Sequence, residues 1–162
     1  MRRTWIAAGL AGIFWIFGCA HAGTTAPEGR GLTAKVEIPA DLRAKILAGE
    51  QNGPWVMHID GVELPAHKPA VVHVFGNLTG APPAQEPEKS ASYLGYFTIV
   101  PKTAQKGTRP DTQTDIVLDV TPNLRKLLQD SSTLTVTLVP AAGVDLRALG
   151  MKIGKVSIRP EE

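Results

Sequence analysis

The sequence predicts a mainly β protein: an antiparallel β-sandwich, jelly-roll-like, with two short helices. Three observations carry this. Apolar residues recur with period two in about seven short runs rich in Val, Ile, Thr, Tyr and Phe. Clusters of Gly, Pro, Asn and Asp punctuate those runs. Only two segments show an apolar stripe at helical spacing, and both are short.

The chain has 162 residues, of which 43% are hydrophobic and 20% charged, enough for one domain with a core that needs no staples. Lys and Arg number 17 against 15 Asp and Glu; without Arg2 and Arg3 the balance is 15 against 15. Such a neutral surface argues against nucleic acid or an anionic membrane surface as partner. The single cysteine, Cys19, excludes an internal disulfide framework.

Residues 1–22 read as an export leader. Arg2 and Arg3 precede an apolar run, Trp5 to Phe17, that ends in small residues. The run is shorter than the roughly 20 residues of a comfortable membrane span. Two exits compete. Ala20-His21-Ala22 has the A-x-A form of a cleavage site, whereas Ile16-Phe17-Gly18-Cys19 resembles a lipobox that would lipidate Cys19. Arg2-Arg3-Thr4-Trp5-Ile6 also loosely resembles a twin-arginine signal. The expected location is therefore outside the cytoplasm of a bacterium, periplasmic or membrane-anchored. Membrane contact is expected only through a lipidated Cys19 or an uncleaved leader.

Residues 23–31, a non-periodic run of Gly, Thr, Ala and Pro, form a tether, and residues 32–162 form the sandwich. Leu32–Ile38 is the first strand. Pro39 opens a helix with Leu42, Ile46 and Leu47 on one stripe, and Gly49 stands where a C-cap belongs. Trp55–Asp60 alternates Trp55, Met57 and Ile59 against Val56, His58 and Asp60. Ala70–Gly76 and Tyr93–Val100 are strands dense in β-branched and aromatic residues. The second is apolar on both faces and predicts a central strand covered twice, with Tyr93, Phe97 and Ile99 on one side and Leu94, Tyr96, Thr98 and Val100 on the other. Between them lies a loop holding Pro82, Pro83 and Pro87, with Leu78 its only large apolar residue. Asn77-Leu78-Thr79 matches a glycosylation sequon, a coincidence in a chain with a bacterial leader. Asp115–Val120 is a strand; Thr121-Pro122 caps and starts a helix striped by Leu124, Leu127 and Leu128. Thr133–Val139 alternates Leu134, Val136 and Leu138 against threonines, and Met151–Ile158 closes the sheet.

Chemistry is harder to place. There is no G-x-S-x-G, no Gly-rich phosphate loop, no H-E-x-x-H and no C-x-x-C. The one Cys lies in the leader, so a blue-copper site lacks its thiolate. If Trp55–Asp60 and Ala70–Gly76 formed a hairpin centred near Leu64 and Pro65, His58 and His73 would face each other as candidate copper or zinc ligands. A third ligand is wanting, since His67 lies in the connecting loop, and the plain alternative is two half-exposed strand histidines. No cofactor is expected, and the sequence argues against an enzyme.

From Trp55 onward the segments resemble the C-terminal domain of polyphenol oxidases and tyrosinases. Val56-Met57-His58-Ile59-Asp60-Gly61-Val62-Glu63 resembles V-x-x-I-E-G-I-E, Val74-Phe75-Gly76-Asn77 resembles V-F-x-N, and Tyr93 to Pro101 is similar to F-A-G-S-F-x-x-V-P. Val136-Thr137-Leu138-Val139-Pro140 matches V-T-L-V-P, and Gly150-Met151-Lys152-Ile153 resembles G-G-I-x-I. The family's Lys-Phe-Asp-Val tetrad falls on Val71-Val72-His73-Val74, retaining only the last Val. In the family this domain packs over a di-copper site held by six histidines and keeps the enzyme latent. This chain has 4 histidines. The resemblance thus implies a non-catalytic lid that covers or assists a type-3 copper oxidase in trans, with Leu78 as the partner-facing side chain. The alternative from another class is an envelope-associated module that binds a glycan or a protein.

Overall fold

The computed structural model describes residues 31–50, 53–63, 69–83, 85–100, 113–141 and 145–161. The leader with Cys19, residues 23–30 of the tether, and His67 lie outside them. In chain order come β1 (Leu32–Glu37), α1 (Ala40–Ala48), β2 (Trp55–Glu63), β3 (Ala70–Gly76), β4 (Tyr93–Ile99), β5 (Gln113–Asp119), α2 (Thr121–Leu127), β6 (Thr133–Pro140) and β7 (Val156–Pro160), with a 3-10 turn at Pro87–Lys89.

The strands form two antiparallel sheets, one of order β1-β6-β3-β4 and one of order β5-β2-β7. Period-two alternation gives each an apolar face. Val72, Val74, Leu134, Val136 and Leu138 from the first meet Met57, Ile59 and Ile158 from the second in one buried cluster. Trp55, Phe97 and Leu138 are all buried. Both helices press apolar stripes on that cluster, through Ile46 and Leu42 of α1 and through Leu124, Leu127 and Leu128 beside it. Gly49 ends α1 at φ 73°, donating its N–H to the Ile46 carbonyl.

Three expectations are corrected. β2 and β3 do not form a hairpin; they belong to different sheets. A connection of this length serves a crossover between sheets as readily as a hairpin, and two strands with one apolar face each do not tell the two apart. Among the described residues β4 is an edge strand, paired only with β3. Its apparent second apolar face comes from a bulge: the β3–β4 register slips between Val74 and Phe75, and Gly95 takes up φ 146°. The extra residue turns Leu94 inward with Phe97 and Ile99, all buried, and leaves Tyr93, Tyr96 and Thr98 outside. Finally, Thr121 is the first residue of α2 rather than its cap, with Val120 as N-cap. Its hydroxyl instead accepts the Trp55 N–H at 2.7 Å, tying α2 to β2.

Candidate functional site

On β3 the residues that do not enter the core, Val71, His73 and Phe75, line the outer face of the four-stranded sheet. Opposite them in the register stand Thr98, Tyr96 and Tyr93 of β4. Phe75 is only 1% exposed although it lies outside the main core cluster. The Tyr93 ring meets it edge-on at a centroid distance of 5.6 Å. His73 sits between two phenols, 6.0 Å from the Tyr93 ring and 6.4 Å from the Tyr96 ring. Its Nδ1 is buried and has no hydrogen-bond partner among the described residues. Burial raises the Tyr93 pKa above its ordinary value, and the charge of Glu88 on the 3-10 turn, then Tyr96, add to the shift. Tyr96 itself is 60% exposed.

The end of this face nearest the long loop is stitched by polar side chains. Asn77 takes φ 49°, its Nδ2 donates to the Leu127 carbonyl at 3.0 Å, and its Oδ1 accepts the Thr135 N–H at 2.8 Å. The Asn77 N–H donates to the Thr135 carbonyl at 2.7 Å. Asn123 Nδ2 donates to the Tyr93 carbonyl at 2.7 Å. On the far side of α2, Arg43 Nε donates to the carbonyls of Leu128 and Ser131, and Nη2 donates to that of Gln129. These bonds satisfy the carbonyl of the C-cap residue Leu128 and those of Gln129 and Ser131 in the turn that follows α2. Gly76 lets the neighbouring leucines pack close: a Cβ would stand 2.7 Å from Leu127 Cδ1 and 3.0 Å from Leu134 Cδ1, so those side-chain ends would have to shift. Leu78, one residue beyond this anchor, is half-buried.

The candidate metal ligands are not brought together. His58 lies on the outer face of the three-stranded sheet, between Val117 and Ser157 in the register. Arg159 Nε donates to His58 Nε2 at 2.9 Å, and Nη2 lies 3.1 Å from Nδ1. That imidazole is engaged by a cation, and the core separates it from His73. Among the described residues no group of three His, Cys, Asp or Glu side chains could hold a metal ion. Also among them, no helix is long and apolar enough to cross a membrane.

Asn77, Asn123 and Arg43 are the residues that sequence reasoning misses. Arg43 and Asn123 look like ordinary solvated helix positions. Asn77 left a usable signal: an Asn directly after the Gly that ends a strand favours a left-handed backbone, which frees both ends of its amide for neighbouring chain.

Residues 29–160 match the family model of the chloroplastic polyphenol oxidase C-terminal domain. No curated protein matches the chain. Among solved structures it is similar to a latent aurone synthase (polyphenol oxidase) from natural source, at 19% identity and TM-score 0.53, over 80% of this chain and 24% of that one. It is likewise similar to latent apple tyrosinase, at 22% identity and TM-score 0.52, over 82% of this chain and 26% of the other. The chain therefore spans about a quarter of the length of these structures, and at such identities the likeness is one of fold.

Proposed function

The chain belongs to the C-terminal domain family of polyphenol oxidases, and from that premise we propose that it is a non-catalytic, exported domain that covers or assists a type-3 copper oxidase carried on another chain. The observation that carries this reading is the extent of the match, residues 29–160, against solved polyphenol oxidases of which the chain covers about a quarter. The matching part is the C-terminal domain alone, and the described residues offer no donor set for a copper pair.

Leu78 is the side chain proposed to enter the partner. It follows a backbone pinned by Asn77 and Gly76, so little freedom is lost when it is fixed on docking. Burying a leucine contributes about 1.5–3 kcal/mol. Export rests on the basic start and apolar run of residues 1–22, and lipidation at Cys19 would hold the domain at a membrane.

The experiment mixes the domain with a type-3 oxidase of the same host and follows catechol oxidation. Wild-type protein should inhibit, and Leu78→Asp should need roughly tenfold more protein for the same effect, the equivalent of about 1.4 kcal/mol. Equal inhibition by both would remove Leu78 from the interface. No effect of either on any type-3 oxidase of the host would overturn the lid reading. The domain alone, given copper, should oxidise no catechol; oxidation accompanied by a bound copper pair would overturn its non-catalytic role.

A further inference from the structure

The two sheets have four edge strands, β1, β4, β5 and β7, and three of them carry features that blunt edge pairing. β1 holds Lys35 and Glu37, β5 holds Asp115 and Asp119, and β7 holds Arg159 and Pro160. β4, of sequence YLGYFTI, holds no charge and no proline. Its bulge at Gly95 disturbs only the first half, leaving Tyr96 to Ile99 as regular strand, with Val100 the next residue of the chain. Among the described residues nothing pairs with its free side.

We propose that a second copy of this chain pairs antiparallel with this edge, about a two-fold axis through Thr98. That register is the one in which the strand complements itself. Thr98 lies opposite Thr98 of the second copy, a favourable cross-strand pair. Phe97 lies opposite Ile99, and both face inward and are buried. Tyr96 lies opposite Val100, and both face outward, 60% and 69% exposed in the single chain. An aromatic ring against a β-branched side chain is again a favoured pair. Val71, beside Thr98 in the β3–β4 register and 37% exposed, borders the same seam. Among the described residues, three of the four exposed large apolar side chains, Val71, Tyr96 and Val100, thus gather at one edge, while Val117 lies on the other sheet. A β5 paired with itself about Val117 would set Asp115 against Asp119, and Pro160 removes a donor from β7, whereas β4 brings no charge to its seam. The closed two-fold dimer uses the edge completely and leaves no open end for further growth. This assembly is independent of any oxidase, so its failure leaves the lid reading untouched.

Light scattering coupled to size-exclusion chromatography on the full chain tests it. The wild-type chain should be a dimer. Thr98 is exposed, so Thr98→Lys and Thr98→Glu should each keep the fold by circular dichroism. Each should raise the dimer dissociation constant by at least about tenfold, because like charges then meet at the axis. An equimolar mixture of the two variants should restore the dimer, as a Lys faces a Glu. Val117→Lys should remain dimeric. A monomeric wild-type chain, variants that dimerise unchanged, or a mixture that stays monomeric would each overturn the proposal.

Discussion

At the Gly76 end of the β3–β4 pair, polar side chains close the backbone. Asn77 bridges β6 and α2 through both ends of its amide, and Asn123 holds the first carbonyl of β4. At the Val71 end no such bonds occur among the described residues, and the apolar side chains of Val71 and Val100 are exposed. The same two strands therefore finish one end in side-chain hydrogen bonds and the other in exposed apolar side chains. Hydrogen bonds that fix a loop must be satisfied within the chain. Apolar surface left open gains by finding cover outside it.

The largest test removes what both ends share. Phe97→Ala should lower stability by about 3–5 kcal/mol in denaturant titration, since its ring is only 7% exposed between the two sheets. A loss under about 1 kcal/mol would show that the inward turn after Gly95 is wrong. Asn77→Ala attacks the closed end alone. It strands the Thr135 N–H and the Leu127 carbonyl and demands a left-handed backbone of alanine, so about 2–3 kcal/mol should be lost. Arg43→Lys keeps the charge but cannot fork onto three carbonyls, and about 1 kcal/mol of melting stability should go. His73→Leu has the opposite sign. It removes a buried, unpartnered Nδ1 from the middle of the face and should gain up to about 1 kcal/mol; a net loss would reveal an unseen partner for that nitrogen.

The smallest effect is on pH. Burial, then Glu88 and Tyr96, hold the Tyr93 phenol protonated above its ordinary range. Above about pH 10 the unfolded chain ionises this group first, so it binds fewer protons than the folded chain and stability falls as pH rises. The Tyr93 contribution is whole below that point and is lost as the pH climbs through the raised folded value. The melting temperature of Tyr93→Phe should accordingly decline less steeply than that of the wild type in alkaline buffer.

Strand and helix positions were legible because apolar periodicity records which side of an element is covered. Trp55, Met57 and Ile59 declare a face, and so do Leu134, Val136 and Leu138. Partner choice was not legible, since β2 and β3 show the same one-faced pattern whichever sheet each joins. The edge position of β4 was hidden by the bulge at Gly95, which brings Leu94 to the same face as Phe97 and Ile99 and makes a one-faced strand read as apolar on both sides. At the candidate site Leu78 was visible as a lone apolar residue in a polar loop. Of the residues that anchor this junction, Asn77 left a local signal beside Gly76, whereas Asn123 and Arg43 left none, because a side-chain bond to distant backbone leaves no periodic trace.

The Asn77 amide also bears on how the protein can be produced. Asn77-Leu78-Thr79 is an acceptor sequon, and a eukaryotic secretory host adds glycan to the nitrogen of such an amide. In the folded chain that nitrogen is turned onto the Leu127 carbonyl while the amide oxygen holds Thr135. Glycan addition and native closure thus compete for one atom. Chains that fold first emerge unglycosylated, and chains modified first carry a bulky sugar into a junction where a Cβ at the neighbouring Gly76 would already displace leucine side-chain ends. In such a host the glycosylated fraction should be the misfolded fraction, and Thr79→Ala should raise the yield of secreted protein.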